Sequence, residues 1–444
     1  LGDNIKDQKL ISVPVATAVG LGAIIGAGIF VLSGTTIALA GANALIAFAL
    51  VGVLAIIIAM EFGELGSIMP HAKGASFSFI FEAFGSEMGF ITGILLYFSF
   101  STAIAAIALG FGSYLGSLTG LHSGYYSIIF AIILIFVLSI LNIIGIKKAA
   151  SADFYLVMIK LGILTIFVIS AVVLAYSTKT LNVSNFTVPP SKDNVYAIFS
   201  ASIAVFFAYS GFQSISTLTS DVNGGANKAA KAIVFSVVIS MIFYILVVVA
   251  LILMVPASKY TVSADPLAFA LSYVHAPYYL YFIVTIGALI ATTSATLAMI
   301  MTSSRVLYQI GENKLLPKFF RKFNSKKDVS VNGVIISSVI GIVMLFSGNV
   351  YIIAAISNFG LLLSYLVSSF AVIHFRRIKK SGTFKTPLYP YTVIVAIILL
   401  VLFIYGMPKE ALDIGVIIIL ILFMLYYFFI EFKRDRVIRE ELFK

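Results

Sequence analysis

Val19-Gly-Leu-Gly-Ala-Ile-Ile-Gly-Ala-Gly-Ile-Phe30 lies inside an apolar run that extends from about residue 11 to 39. The run is long enough to cross a bilayer as a helix, which takes about 20 residues. Yet Gly20, Gly22, Gly26 and Gly28 crowd into its middle and weaken helix there. Two readings stand. Gly22-x-x-x-Gly26 fits close packing of helices through small residues. Alternatively the backbone unwinds, which lipid tolerates only inside protein or beside a cavity. A second stretch bears on the choice. Phe206-Phe-Ala-Tyr-Ser-Gly-Phe-Gln-Ser214 puts a polar interruption midway along another apolar run, 195–218.

The rest of the chain sets the frame. Its 444 residues are 61% hydrophobic and 11% charged, against about 45–50% and about 25% in soluble chains. That excludes an ordinary soluble enzyme and a disordered chain. No Cys is present, which removes disulfides and thiolate chemistry, and with only four His no metal or cofactor is expected. The net charge of +11 could suggest nucleic acid. The basic residues, however, sit between long apolar runs, so a lipid bilayer is the expected partner and nucleic acid is not. Period-two alternation, the mark of a membrane barrel, is absent.

Twelve segments qualify as helical spans: 11–39, 43–69, 87–117, 125–146, 153–176, 195–218, 230–255, 277–304, 329–347, 350–375, 389–407 and 412–431. Basic residues test this count. With a cytoplasmic N-terminus, the inside segments hold Lys6, Lys9, Lys73, Lys147, Lys148, Lys228, Lys231 and the groups Arg305–Lys327, Arg376–Lys385 and Lys433–Lys444. Outside fall only Lys179, Lys192, Lys259 and Lys409. Moving one span would spoil this asymmetry, so both termini are expected in the cytoplasm, in a multi-pass protein of the cell membrane. Leu1–Leu10 is polar and the first apolar run is span-length, so no cleavable signal peptide is expected.

The remaining basic residue is Lys160, seven residues past Asp153 and roughly 10 Å into span five. Placing Lys at depth costs about 2.5–3.5 kcal/mol on insertion scales. Either it snorkels to the interface, or it is a buried amine facing the bundle interior. In the second reading desolvation favours the neutral form, so the amine can load and release a proton, which Arg could not do.

Spans one and six correspond if spans 1–5 and 6–10 form two inverted repeats. Interruptions at matching places in two halves point to a transport site near the midplane. Half-helix N-termini carry free N–H groups and partial positive charge, suited to a carboxylate, and half-helix C-termini present carbonyls to an ammonium. A site with both suits a zwitterion, hence an amino acid. Neither break holds an Asp or Glu.

At these residues the chain resembles the amino acid–polyamine–organocation (APC) superfamily, closely its proton-coupled ApcT type, from about residue 10 to 405. Gly22-Ala-Ile-Ile-Gly-Ala-Gly-Ile-Phe30 and Phe206-Phe-Ala-Tyr-Ser-Gly-Phe212 resemble the signatures of spans one and six. Glu61-Phe-Gly-Glu-Leu and Met69-Pro-His-Ala-Lys-Gly74 resemble span two and its following loop. Ser304-Arg-Val-Leu-Tyr308, Leu315-Leu-Pro317 and Asn324 resemble the loop after span eight, and Thr386-Pro-Leu-Tyr-Pro390 the entry to span eleven.

The resemblance implies an all-α membrane protein of twelve transmembrane helices with a LeuT-type fold. Repeat one would cover 1–176, repeat two 177–378, and two added helices with the C-terminus 379–444. It places a substrate carboxylate on the backbone of Gly26, Ala27 and Gly28. It places the ammonium on carbonyls of Ile24, Phe207, Ala208 and Ser210, with Phe207 also a gate. Tyr97 becomes a pocket wall; for Phe207 and Tyr97 core or lipid packing is the alternative. Lys160 would take the second sodium site of sodium-coupled relatives and contact span-one carbonyls near Gly22. Hydroxyls of Thr292-Thr293-Ser294 could join it, notably Thr293 and Ser294, unless they bond back to their own helix. Two departures from the family pattern stand out: Gln213 replaces a frequent acid in span six, and Val222-Asn-Gly-Gly225 replaces an Asn-Pro. Glu61 and Glu64, one turn apart at the end of span two, are expected to be a solvated or capped interfacial pair, with a gate contact as the alternative. The 431–444 stretch is expected to form a short interfacial helix.

The expectation is therefore a proton-coupled, sodium-independent secondary transporter of small or neutral amino acids, not an enzyme, working by alternating access. An exchanger of the same fold, with Lys160 as a fixed internal cation, is the alternative.

Overall fold

The computed structural model describes residues 11–70, 76–144, 150–177, 183–187, 194–212, 219, 222–324 and 329–431. Lys6, Lys9, His71, Lys73, Lys147, Lys148, Lys179, Lys192, Gln213 and the expected C-terminal helix beyond residue 431 lie outside them.

Helices follow the apolar segments, because a backbone that leaves water must satisfy its own hydrogen bonds. In chain order they are α1 (Val13–Ile24), α2 (Ala27–Ala40), α3 (Ala44–Ile68), α4 (Ser76–Thr119), α5 (Gly124–Ile144), α6 (Ala150–Ser177) and α7 (Val195–Tyr209). Then come α8 (Gly225–Met254), α9 (Pro266–Tyr273), α10 (Tyr278–Glu312), α11 (Val331–Met344), α12 (Val350–Arg377), α13 (Tyr391–Tyr405) and α14 (Lys409–Leu425). No strand occurs among the described residues. Among the described residues, eight helical stretches are long and apolar enough to cross a membrane, with α2 and α3 counted as one, and α1, α7, α11 and α13 are shorter apolar helices.

Three elements differ from expectation. The helix before span three begins at Ser76 and is broken at Gly85, whose φ of +84° suits only glycine. The stretch Ser304–Tyr308, expected as loop, is the last part of α10, which continues to Glu312. The segment between α8 and α10 folds a further helix, α9, started by Pro266 at its first turn.

Packing divides the helices into two groups. The first contains α1, α2, α3, α7 and α8; the second contains α4, α5, α10 and α11. Helix α12 packs on both groups, against α4, α7 and α3, while α6 lies against α1, α8 and α10. Small residues allow the close crossings. Gly112 faces the backbone of Ser127, and Gly360 faces the Leu95 carbonyl and the Ser99 hydroxyl. The outer faces carry large apolar side chains, such as Phe136 and Ile140 on α5 and Ile169 and Val173 on α6. Such patches fit hydrocarbon rather than water as the surrounding solvent.

Candidate functional site

Both glycine-bearing stretches are broken helices. Helix α1 stops at Ile24, and Ile25 (φ −77°, ψ 63°) and Gly26 (φ −99°, ψ −128°) leave helical geometry before Ala27 opens α2. The Gly26 N–H closes a tight turn onto the Ile24 carbonyl at 2.8 Å. No side chain caps the start of α2, so the positive end of that helix is left to other partners. Helix α7 stops at Tyr209. Ser210 folds back on its last turn: its N–H points to the carbonyls of Phe206 (3.1 Å) and Phe207 (3.3 Å), and its hydroxyl donates to Phe207 at 2.8 Å. Gly211 follows at φ +120°, where other residues are strained.

The two breaks touch. A Cβ on Gly28 would overlap the Cα and Cβ of Ala208, and one on Gly211 would stand 2.6 Å from the Ala23 carbonyl oxygen. A Cβ on Gly26 would meet the Ala295 Cβ of α10 at 3.1 Å. Packing and unwinding are therefore the same feature here: the glycines let two broken helices approach to backbone contact. The approach brings the N-terminal end of α2 beside the C-terminal end of α7. Donor and acceptor ends of opposite partial charge then lie side by side, an arrangement suited to a small zwitterion.

One residue at this site escaped the sequence reading. Tyr244 of α8 is fully buried, and its hydroxyl lies 2.8 Å from both the Ile24 and the Ala208 carbonyl oxygens. A hydroxyl has one proton and can donate to one carbonyl at a time. It thus bridges the ends of α1 and α7 with a bond that can switch. Its ring is held by Tyr209 (5.0 Å) and Phe48 (6.0 Å), both edge-on. In the sequence Tyr244 is one aromatic among 22 Tyr in an apolar run, so only long-range packing reveals it.

Lys160 is 3% exposed. It belongs to the face of α6 formed with Val157, Leu164 and Phe167, all buried. One turn before it, Val157 meets Gly22 of α1, where a Cβ would come within 2.7 Å; three residues on, Ile163 meets Gly287 of α10. Lys160 therefore lies on the side of α6 turned toward α1 and α10, away from the lipid-facing side that snorkelling would need. On α10, Thr292 donates to Ala288 (2.7 Å) and Ser294 to Ala291 (3.0 Å) of their own helix, and Thr293 is partly exposed on the same turn. Phe207 and Tyr97 are both buried, and the Tyr97 hydroxyl takes a hydrogen bond from Ser337 of α11 at 3.4 Å.

Glu61 and Glu64, expected as a solvated or capped pair, do not take the solvated form. Both are buried, at 0% and 1% exposure. Arg376 of α12 grips Glu64 with Nε at 2.6 Å and a second nitrogen at 2.9 Å, and the Thr386 N–H adds a third bond at 2.8 Å. Glu61 meets the Ser369 hydroxyl at 2.6 Å. The cause is a segment more than 300 positions away. The connection between α12 and α13 lies over the end of α3, with the Ser67 hydroxyl accepting from the Phe384 N–H and lying 3.1 Å from the Phe384 carbonyl oxygen.

Comparison with known proteins agrees with this architecture. A methylthioribose transporter of Bacillus subtilis is 28% identical over 418 residues, covering 88% of this chain and 87% of that protein. A branched-chain amino acid permease of Lactococcus lactis is 27% identical over 398 residues, 84% of each chain. A chloroplastic cationic amino acid transporter of Arabidopsis thaliana is 26% identical over 378 residues, 81% of this chain and 64% of that one. The amino acid permease family profile matches residues 15–442. With that match over apolar helices long enough to cross a bilayer several times, the chain is a multi-pass membrane protein that belongs to the amino acid permease family.

Proposed function

We propose that this protein carries small or neutral amino acids across the cytoplasmic membrane with protons and without sodium. The observation that supports it most is the meeting of the two breaks, Gly28 against Ala208 and Gly211 against Ala23. The start of α2 at Gly26, Ala27 and Gly28 binds the substrate carboxylate. The Ile24 and Ala208 carbonyls, which share the single Tyr244 hydroxyl proton, turn to the substrate ammonium, with Phe207 and Tyr97 near the ligand. The Ser210 hydroxyl already occupies the Phe207 carbonyl, so that carbonyl needs a rotation of Ser210 before it can serve. A neutral substrate accords with breaks that contain no acid and with the branched-chain permease among the relatives.

In this reading the chain crosses the membrane twelve times, α1–α2 forming one crossing and α7 opening another, with both termini in the cytoplasm. Residues 1–176 and 177–378 are the two repeats. The first packing group rocks against the second, which gives each side access to the breaks in turn. Protonated Lys160 braces the α1–α2 break toward Gly22, with Thr293 and Ser294 on the facing helix, and its ammonium takes the place a sodium ion would need. Loss of its proton to the cytoplasm loosens the break and releases the substrate.

Uptake of radiolabelled alanine, leucine and a wider panel into proteoliposomes tests this. Low external pH in sodium-free buffer is expected to drive accumulation above equilibrium, and Lys160→Ala is expected to lose that drive. Uptake that ignores the gradient and requires internal amino acid would contradict symport and support exchange.

A further inference from the structure

Glu61 is a buried carboxyl for which substrate binding and Lys160 leave no role. It is 0% exposed on α3, in a chain where an ionisable group at depth marks function by default. One of its oxygens lies 2.6 Å from the Ser369 hydroxyl, and the other has no hydrogen-bond partner among the described residues. The local charge count is uneven. Glu64 takes all that Arg376 offers its carboxylate, plus the Thr386 N–H. The guanidinium of Arg376 is therefore bonded to Glu64 and not to Glu61.

Among the described residues, the groups around Glu61 offer no other cation. From α12, Arg376 is engaged by Glu64, and His374 turns its ring to Phe84. From α8, Lys228 and Lys231 are exposed, as are Lys379 and Lys385 of the covering connection. Lys380 pairs with Glu82. Helices α2, α7 and α13 contain no charged residue.

Ser369 supplies the second argument. Its hydroxyl is also 3.1 Å from the Tyr365 carbonyl oxygen, and it has one proton to donate. If Glu61 is ionised, that proton is drawn to Glu61, the Ser369 hydroxyl gives up its bond to the Tyr365 carbonyl, and a charged oxygen stays buried without a hydrogen-bond partner among the described residues, which costs far more than a buried neutral one. If Glu61 is neutral, its acid O–H donates to Ser369 and Ser369 donates to Tyr365. Both short contacts are then used, and the leftover atom is an uncharged carbonyl oxygen.

We propose that Glu61 is a second proton-binding site, loaded while α3 is packed on α12 and emptied when the contact with Ser369 opens. On opening, the acid O–H bond breaks, its proton passes to water, and the carboxylate is hydrated. A mechanical link to the substrate site exists. The Tyr365 ring packs against Phe212, the residue after Gly211, at 5.7 Å, and against Phe62, the neighbour of Glu61, at 5.3 Å. Movement at the second break therefore reaches the Glu61–Ser369 contact through two rings. The coupling to transport rests on the alternating-access reading above; the protonation of Glu61 does not.

Isotope-edited infrared spectroscopy of the full chain in lipid nanodiscs, without amino acid or gradient, tests the assignment. At neutral pH a protonated-carboxyl C=O band is expected that moves on 13C-glutamate labelling and is lost in Glu61→Gln. Ser369→Ala, which breaks the hydrogen bond, is expected to shift the band. Absence of the band from the wild type overturns the proposal, as does its survival in Glu61→Gln. Should Glu61→Gln fail to fold, the Ser369→Ala spectrum decides: a shift supports the site, and an unmoved band overturns it. Because uptake plays no part, failure of the transporter reading and failure of this assignment are told apart.

Discussion

The paired breaks and the end of α3 are both buried, both join distant parts of the chain, and are held together by opposite means. At the breaks the contacts are backbone against backbone, through Gly28, Gly211 and the neutral hydroxyl of Tyr244. At the end of α3 the contact is a charged fork, Arg376 on Glu64, sealed by Thr386 and Ser67. Neutral dipoles are cheap to rearrange, since a typical net hydrogen bond contributes about 0.5–1.5 kcal/mol. A buried ion pair that loses one partner costs about 3–5 kcal/mol. In the proposed reading the first region exchanges partners with a ligand, and the second holds one arrangement until it opens as a unit.

The largest effect should come from breaking the charged region. Arg376→Ala leaves Glu64 buried without its cation, and a loss of about 3–5 kcal/mol is expected, read as a large drop in melting temperature in detergent. The paired variant Glu64→Leu/Arg376→Met should recover most of the loss; a drop as large as the single variant's would show that geometry rather than charge dominates there.

Next is Gly28→Ala. The added Cβ overlaps the Ala208 backbone, so the breaks are forced apart. Overpacking of this kind costs about 1–3 kcal/mol, a smaller stability loss than that of Arg376→Ala, while uptake should fall to background. Normal uptake by this variant would break the contrast drawn above.

Tyr244→Phe keeps the ring and removes the hydroxyl from two buried carbonyls. A cost of about 1–3 kcal/mol is expected, with substrate affinity altered by about tenfold for each 1.4 kcal/mol of it. Titration of binding by thermal shift would measure this, and unchanged affinity would place the ammonium elsewhere.

Lys380→Ala should do least. Its pair with Glu82 is exposed, at 42% and 52%, and such pairs contribute about 0–1 kcal/mol, less in salt. A stability change beyond that range would mean that the outer pair belongs to the closed region.

The sequence is unevenly legible for reasons these same regions display. The breaks could be read because their signal is local: glycines and a Tyr-Ser-Gly interruption within apolar runs have few explanations. Lys160 was legible because a lone charge is conspicuous in a chain with 11% charged residues. The burial of Glu64 was not, because it depends on Arg376 and Thr386, more than 300 positions away, and nothing near Glu64 announces them. Tyr244 escaped for a related cause: its role exists only once two separate helix ends have been brought together. The length of α10 is not legible because the apolar run ends at 304 and the resemblance puts Ser304–Tyr308 in the following loop, yet Ser304 and Leu307 are buried on one face while Arg305 stays exposed.

The central claim is that the two breaks hold the two charged ends of one amino acid. The most direct measurement is binding to purified protein of an amino acid that the uptake panel identifies, beside its amide, which lacks the carboxylate, and its α-hydroxy acid, which lacks the amine. The account predicts that the amino acid binds and that each analogue loses at least about tenfold in affinity, or about 1.4 kcal/mol. Equal binding of all three would contradict it, because the donor end of α2 and the acceptor end of α7 would then be recognising neither group.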